Sequence, residues 1–210
     1  MTPELIRYIE EKIISQYSAF DLAHQEGHVR AVLSESMRLA QFYDVNEDMV
    51  YVVAAYHDVG LCEGREFHHI TSGRMLMNDI SLRQWFDEKQ LSIMRDAVED
   101  HRASNSYEPR TIYGKIVAEA DRQIDCDTTL RRTIQYGLKN YTNLDKEGQF
   151  ARALEHISKK YAEGGYLKLY IPESTNSKGL EQFRTLISSP KLFREAFDAI
   201  YDEEIGKKEY

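Results

Sequence analysis

With 210 residues, 42% of them hydrophobic, the chain has the size and composition of an ordinary globular protein with a substantial core. Its formal charge of −8 and pI near 5.4 provide no general attraction for phosphate backbones, so broad nucleic-acid binding is not expected. No apolar run reaches the roughly 18 residues that span a bilayer, and MTPELIRYIEEKI has acids where a secretory signal would be hydrophobic, so a cytoplasmic protein without membrane partners is expected.

Thr2-Pro3-Glu4 starts a helix, with threonine as cap and proline in the first turn. Leu5, Ile6, Ile9, Ile13 and Ile14 give it an amphipathic face suited to a lid over the core. The segment from Asp21 to His28 leads into a second helix, with Val29, Val32, Leu33 and Ala40 on one side. His28 stands in its first turn, where a neutral imidazole is free to ligate metal; His24 is a supporting donor or a surface residue. Asn46, with Glu47 and Asp48 behind it, caps a third helix, and Gly60 reads as its stop. Within it Val50, Val53, Ala54 and His57 fall at i, i+3, i+4 and i+7, so the imidazole continues an inward apolar stripe. Asp58 follows at once. Adjacent helical residues diverge by about 100°, so both reach one cation only if it sits over the edge between their faces.

The next stretch, LCEGREFHHITSGRML, delivers His68 and His69 to the start of another helix, and only one of two adjacent histidines easily shares a pole with His57. Glu63, Arg65 and Glu66 in its loop are either ligand contacts or solvated charges. A helix is expected from Asp87 to His101, a loop around Asn105-Ser106 and Pro109, and a further helix from Thr111 to Asp125 with Ile112, Ile116, Val117 and Ala120 inward. Lys115 and Arg122 flank Asp121 as oxyanion contacts or solvated cations. From Thr128 onward long amphipathic segments carry no new donor cluster, and His156 reads as structural or exposed. Tyr166 to Ile171 alternates and ends at Pro172, which suits an extended edge or a short hairpin strand. Ser189-Pro190 then starts a last amphipathic helix through Phe193, Phe197, Ile200 and Tyr201.

The His57 pattern recurs. Met94, Ala97, Val98 and His101 repeat its spacing, as do Gly114, Val117, Ala118 and Asp121, so three segments aim a metal-type donor along an inward apolar face. Burying unpaired imidazoles and carboxylates is costly, and metal coordination offsets that cost. Cys62 and Cys126 form no CxxC pair, so neither a disulfide framework nor a thiolate zinc site is indicated.

The ordered set His28-Val29-Arg30, Tyr56-His57-Asp58-Val59-Gly60, His69 four residues before Gly73, His101, and Ala120-Asp121-Arg122 resembles the HD-domain superfamily of metal-dependent phosphohydrolases, over roughly residues 20 to 130. That resemblance implies an all-α, HD-type helical bundle: one domain over residues 1–210, with a core of about 20–130 and a helical extension of about 131–210, to which one short β-hairpin is compatible. It further implies that His28, His57, Asp58 and Asp121 hold one divalent metal, and that His69 and His101 hold a second with Asp58 bridging. Imidazoles and carboxylates suit Mn, Fe, Co, Ni or Zn, with Mg less favoured. The implied activity is hydrolysis of a phosphate ester in a small phosphorylated metabolite or nucleotide, with Asp58, Lys115 and Arg122 as catalytic candidates and Arg65 and Arg102 as further cations. Two other readings use the same residues: a di-iron oxygenase, and a non-enzymatic metal-binding or sensory module. Apolar helical faces near both termini permit a homodimer, or serve to cover the core.

Overall fold

The computed structural model describes residues 1–20 and 26–207; the lead-in at residues 21–25, with His24, lies outside them. Among the described residues there are ten α-helices, three 3₁₀ turns and no strand. The chain forms two compact units, one of residues 1–122 with 169–174, the other of 123–168 with 175–210.

The first unit holds α1 (Pro3–Lys12), α2 (Glu26–Ala40), α3 (Glu47–Tyr56), α4 (His68–Asn78), α5 (Glu88–Asp100) and α6 (Ile112–Arg122). Local chemistry sets several of these starts. Thr2 Oγ1 accepts from the Leu5 amide at 3.3 Å, with Pro3 opening the helix, and α1 buries Leu5 and Ile9 in the core. Asn46 Oδ1 accepts from the Asp48 amide at 2.9 Å, and Asp87 and Gln90 form a reciprocal capping box on α5. Every residue of α3 from Met49 to Tyr56 is buried, so α3 is a central rod packed by α2, α5 and α6, and not a helix with one inward stripe.

Two boundaries differ from the sequence reading. Helix α6 ends at Arg122, three residues before Asp125, because Gln123 adopts a positive φ of 37° and Asp125 caps the next helix through the Thr128 amide at 2.8 Å. The expected β-hairpin near Tyr166 to Ile171 is absent from the described residues. The Tyr166 and Leu167 amides donate to Lys159 and Lys160 carbonyls at the end of α8, and the Tyr170 amide donates to Glu119 Oε2 at 2.8 Å, so no strand ladder forms. Residues 169–174 instead lie as an irregular strap in the first unit that turns after Ile171, with Ile171 in its core and Ser174 Oγ donating to the buried Glu119 at 2.5 Å.

The second unit holds α7 (Cys126–Asn140), α8 (Lys146–Tyr161), α9 (Asn176–Ser188) and α10 (Pro190–Gly206). Tyr161 stacks on Phe183 at 4.7 Å, and Phe150 packs edge-on to Phe193 and Phe197 at 5.8 and 5.2 Å. His156 is exposed on α8. No described helix is long and apolar enough to cross a membrane.

Candidate metal centre

Helix ends build the centre. The last turn of any α-helix leaves carbonyls without intrahelical partners, and here those carbonyls orient imidazoles. His57 follows α3 and its Nδ1 lies 2.7 Å from the Ala54 carbonyl; His101 follows α5 with Nδ1 2.6 Å from the Val98 carbonyl. His68, opening α4, repeats the relation, with Nδ1 2.8 Å from the Arg65 carbonyl. In each case the carbonyl is three residues back and accepts from Nδ1–H. The proton is thereby fixed on Nδ1, and the Nε2 lone pair is left as a donor for a cation.

The Nε2 atoms converge on Asp58. Its Oδ2 lies 3.3 Å from His57 Nε2 and 3.8 Å from His28 Nε2, while its Oδ1 lies 3.2 Å from His68 Nε2 and 3.4 Å from His101 Nε2. Asp121 completes the first side, with Oδ1 3.1 Å from His28 and 3.8 Å from His57. Nitrogen also faces nitrogen, at 3.3 Å between His57 and His28 and at 3.2 Å between His68 and His101. Two groups result, His28–His57–Asp58 and Asp58–His68–His101, in each of which the donor atoms lie within 4.8 Å of one another. Asp58 belongs to both.

The electrostatics of this cluster favour positive charge. Burial is the largest influence on Asp58 and would raise its pKa, yet His57, His101 and His68 hold it well below the ordinary carboxylate range. Asp121 is likewise lowered, with burial opposed chiefly by His28. Burial pushes the His57 imidazole down, and Asp58 and Asp121 more than reverse that push. Two ionised carboxylates amid four imidazoles whose Nε2 atoms face one another fit a divalent cation by number, type and direction of donor.

Two further contacts fix the Asp58 turn. Tyr17 is wholly buried; its hydroxyl donates to the Ala55 carbonyl at 2.8 Å and accepts from the Asp58 amide at 3.2 Å. Burial, with the Asp58 charge adding, raises the Tyr17 pKa well above the ordinary value, so it stays a neutral donor. Gly60 is not a left-handed helix stop. It lies in the 3₁₀ turn Val59–Glu63, where its amide donates to Ser72 Oγ at 2.8 Å and an added Cβ would stand 2.2 Å from the His68 carbonyl oxygen. That close approach presses the turn after Asp58 onto the first turn of α4 and brings His68 to the carboxylate.

His28, His57, Asp58, His101 and Asp121 therefore come together, whereas His69 does not join them; His68 stands where His69 was expected. Adjacent residues at a helix start point about 100° apart, so one histidine of the pair faces Asp58 and the other turns away. His69 is buried instead, and burial, reinforced by His101, His68 and Arg102, lowers its pKa to about 4. Lys115 pairs with Glu108 at 2.5 Å, Arg122 lies over the Tyr170 ring at 4.9 Å, and Arg102 donates to the Glu66 carbonyl at 2.7 Å. Glu63 pairs with Arg74. Tyr17 went unrecognised in the sequence because nothing periodic marks it.

No curated protein and no solved structure matches the chain. Residues 26–123 match the family model of the HD domain, a segment that runs from the start of α2 past the end of α6 and contains all six residues gathered at Asp58. The match covers a little under half of the chain and supports membership of that segment in the HD-domain superfamily.

Proposed function

We propose that this protein is a metal-dependent phosphohydrolase acting on a small phosphate ester, with His28, His57, Asp58 and Asp121 holding one divalent ion and Asp58, His68 and His101 a second. The observation that carries this reading is Asp58, whose two oxygens each face a separate pair of imidazole Nε2 atoms. The HD superfamily consists mostly of metal-dependent phosphohydrolases, which supports the same reaction class. A divalent ion at such donors supplies Lewis acidity that polarises a phosphoryl oxygen and makes water acidic near neutral pH. The chain's own contribution is to fix the donors in advance: three imidazoles by their carbonyls three residues back, and the Asp58 backbone by Tyr17. Hydrolysis consumes one water and breaks the P–O bond to the organic group, which leaves as the alcohol.

The test is metal analysis of protein purified without chelator, followed by phosphate release from a panel of esters with Mn, Co, Ni, Zn and Mg. Bound metal and turnover that vanish together in Asp58→Ala, with the helical spectrum kept, are expected. Two irons per chain with O₂ uptake and no phosphate release would replace the hydrolase by an oxygenase; bound metal without either activity would make the centre structural or sensory.

A further inference from the structure

A cleft of about 370 Å³ opens in the first unit between α1, the end of α3 and the end of α4, and all of its lining residues lie among those described. Its volume falls in the range that holds a small ligand, roughly 300–1,000 Å³. Ile13, Val59 and Met75, with Tyr8 and Tyr56, make the larger, apolar part of the wall.

Two groups of opposite charge share this cleft without pairing. Asp79 accepts from the Tyr8 hydroxyl through Oδ2 at 2.5 Å, from the Tyr56 hydroxyl through the same oxygen, and from the Ser81 amide through Oδ1 at 2.9 Å. All three donors are neutral. Burial first, with the Asp79 hydrogen bond next, raises the pKa of both tyrosines, so both hydroxyls stay protonated. Arg83 reaches only the Asp79 backbone carbonyl, at 3.5 Å, and pairs with Glu88. Lys12 stands exposed in the last turn of α1, where its carbonyl accepts from Gln16 Nε2 at 2.6 Å, and its ammonium makes no ion pair among the described residues. Neutral hydrogen bonds orient a carboxylate but leave its charge to be met from outside.

A wall with one carboxylate, one ammonium and an apolar remainder is complementary to a molecule that carries the same three parts. A simple amine meets Asp79 and brings like charge toward Lys12, and a simple acid does the reverse. We infer that this cleft is a binding site for a small zwitterion with an apolar body, the chemistry of an α-amino acid with an aliphatic side chain, its ammonium on Asp79, its carboxylate on Lys12 and its side chain against Ile13, Val59 and Met75. None of these groups is a donor of the metal centre, so the site stands or falls independently of the hydrolase reading.

Binding of L-leucine to the full-length protein is measured by calorimetry beside three of its fragments: 3-methylbutylamine, which lacks the carboxylate, 4-methylpentanoate, which lacks the ammonium, and glycine, which lacks the side chain. Trp85, the only tryptophan, lies 5.6 Å from the Tyr8 ring, so its emission reports where the ligand sits. L-Leucine is expected to shift that emission and to bind about fivefold tighter than the amine and about tenfold or more tighter than the acid and glycine, as one exposed ion pair, one charge-assisted bond and one buried side chain provide. Lys12→Gln, a change at an exposed site, is expected to bring L-leucine down to the affinity of the amine while leaving the amine unchanged. Asp79→Asn is expected to weaken L-leucine and the amine about tenfold and to leave the acid no weaker; should that variant fail to fold, Lys12→Gln decides alone. No binding of L-leucine at millimolar concentration, equal affinity for all four compounds, full leucine affinity kept in Lys12→Gln, or heat without a change in Trp85 emission overturns the site.

Discussion

The cluster around Asp58 in the first unit and the polar groups of the second unit are buried in opposite ways. In the second, each buried polar side chain is answered by its neighbours. Gln149 Nε2 donates to the Gly137 and Tyr141 carbonyls at 3.1 and 2.8 Å, Asn176 Oδ1 accepts from the Ile124 amide at 3.0 Å, and Glu204 accepts from Arg131, Gln135 and Lys207. In the first, His57, His68 and His101 each have one nitrogen held by a backbone carbonyl and the other aimed at a lone-pair-bearing atom. Closed networks hold a fold together, whereas imidazole nitrogens that face one another beside two carboxylates form a set that a cation between them completes. The difference marks the cluster around Asp58 as a candidate cation site without reference to any relative.

The largest effect expected from breaking this contrast is at Asp58, shared by both donor groups. Asp58→Asn keeps the shape and removes the charge, and is expected to cost both ions and about 10³-fold in turnover, equivalent to ~4 kcal/mol of transition-state stabilisation. Elemental analysis and phosphate release measure the two losses. His68→Gln is expected to leave one ion per chain and to reduce turnover about 100-fold, while His69→Gln one residue later changes turnover less than about threefold. Equal losses at positions 68 and 69 would return the second group to His69.

Next in size is Tyr17→Phe, which removes only a hydroxyl. It leaves the buried Asp58 amide and the Ala55 carbonyl without that partner, a cost of about 1–3 kcal/mol in unfolding free energy by denaturant titration. Because Tyr17 positions Asp58 and touches no substrate, metal affinity is expected to fall about tenfold with it, in line with other residues that orient metal ligands. Lost stability at unchanged affinity would make Tyr17 structural alone.

What was legible in the sequence is what local chemistry decides. The caps at Thr2, Asn46 and Ser189 are short-range devices, and each is found. The spacing that ends in His57 and again in His101 proved to be two helix ends using the same carbonyl three residues back. The choice between His68 and His69 was not legible, because it depends on where α4 begins. The contact of Gly60 with Ser72 and His68, made by folding, fixes that start relative to Asp58. Tyr17 acts on residues 38 and 41 positions away, a separation no periodic pattern records. The alternating Tyr166 to Ile171 misled because alternation reports burial on one side only, and a strap held by a buried glutamate produces it as well as a strand does.

The smallest effect lies in the second unit and tests the closed side of the contrast. Glu204 on α10 accepts from Lys207 at 2.6 Å and from Gln135 and Arg131 at 2.8 Å, and these bonds, Lys207 first, lower its pKa from 4.5 to about 2. A carboxylate whose folded pKa is depressed adds stability that is complete above its unfolded value of 4.5 and disappears as pH falls toward 2. The network is partly open to solvent, so its contribution is set at about 1 kcal/mol. Glu204→Gln is therefore expected to be less stable than the wild type by about that amount between pH 5 and 7, with the two curves converging as pH drops from about 4.5 toward 2. Metal content at pH 7 should be unchanged. A Glu204→Gln protein that lost metal as well would mean that the second unit's network does more than hold its own helices.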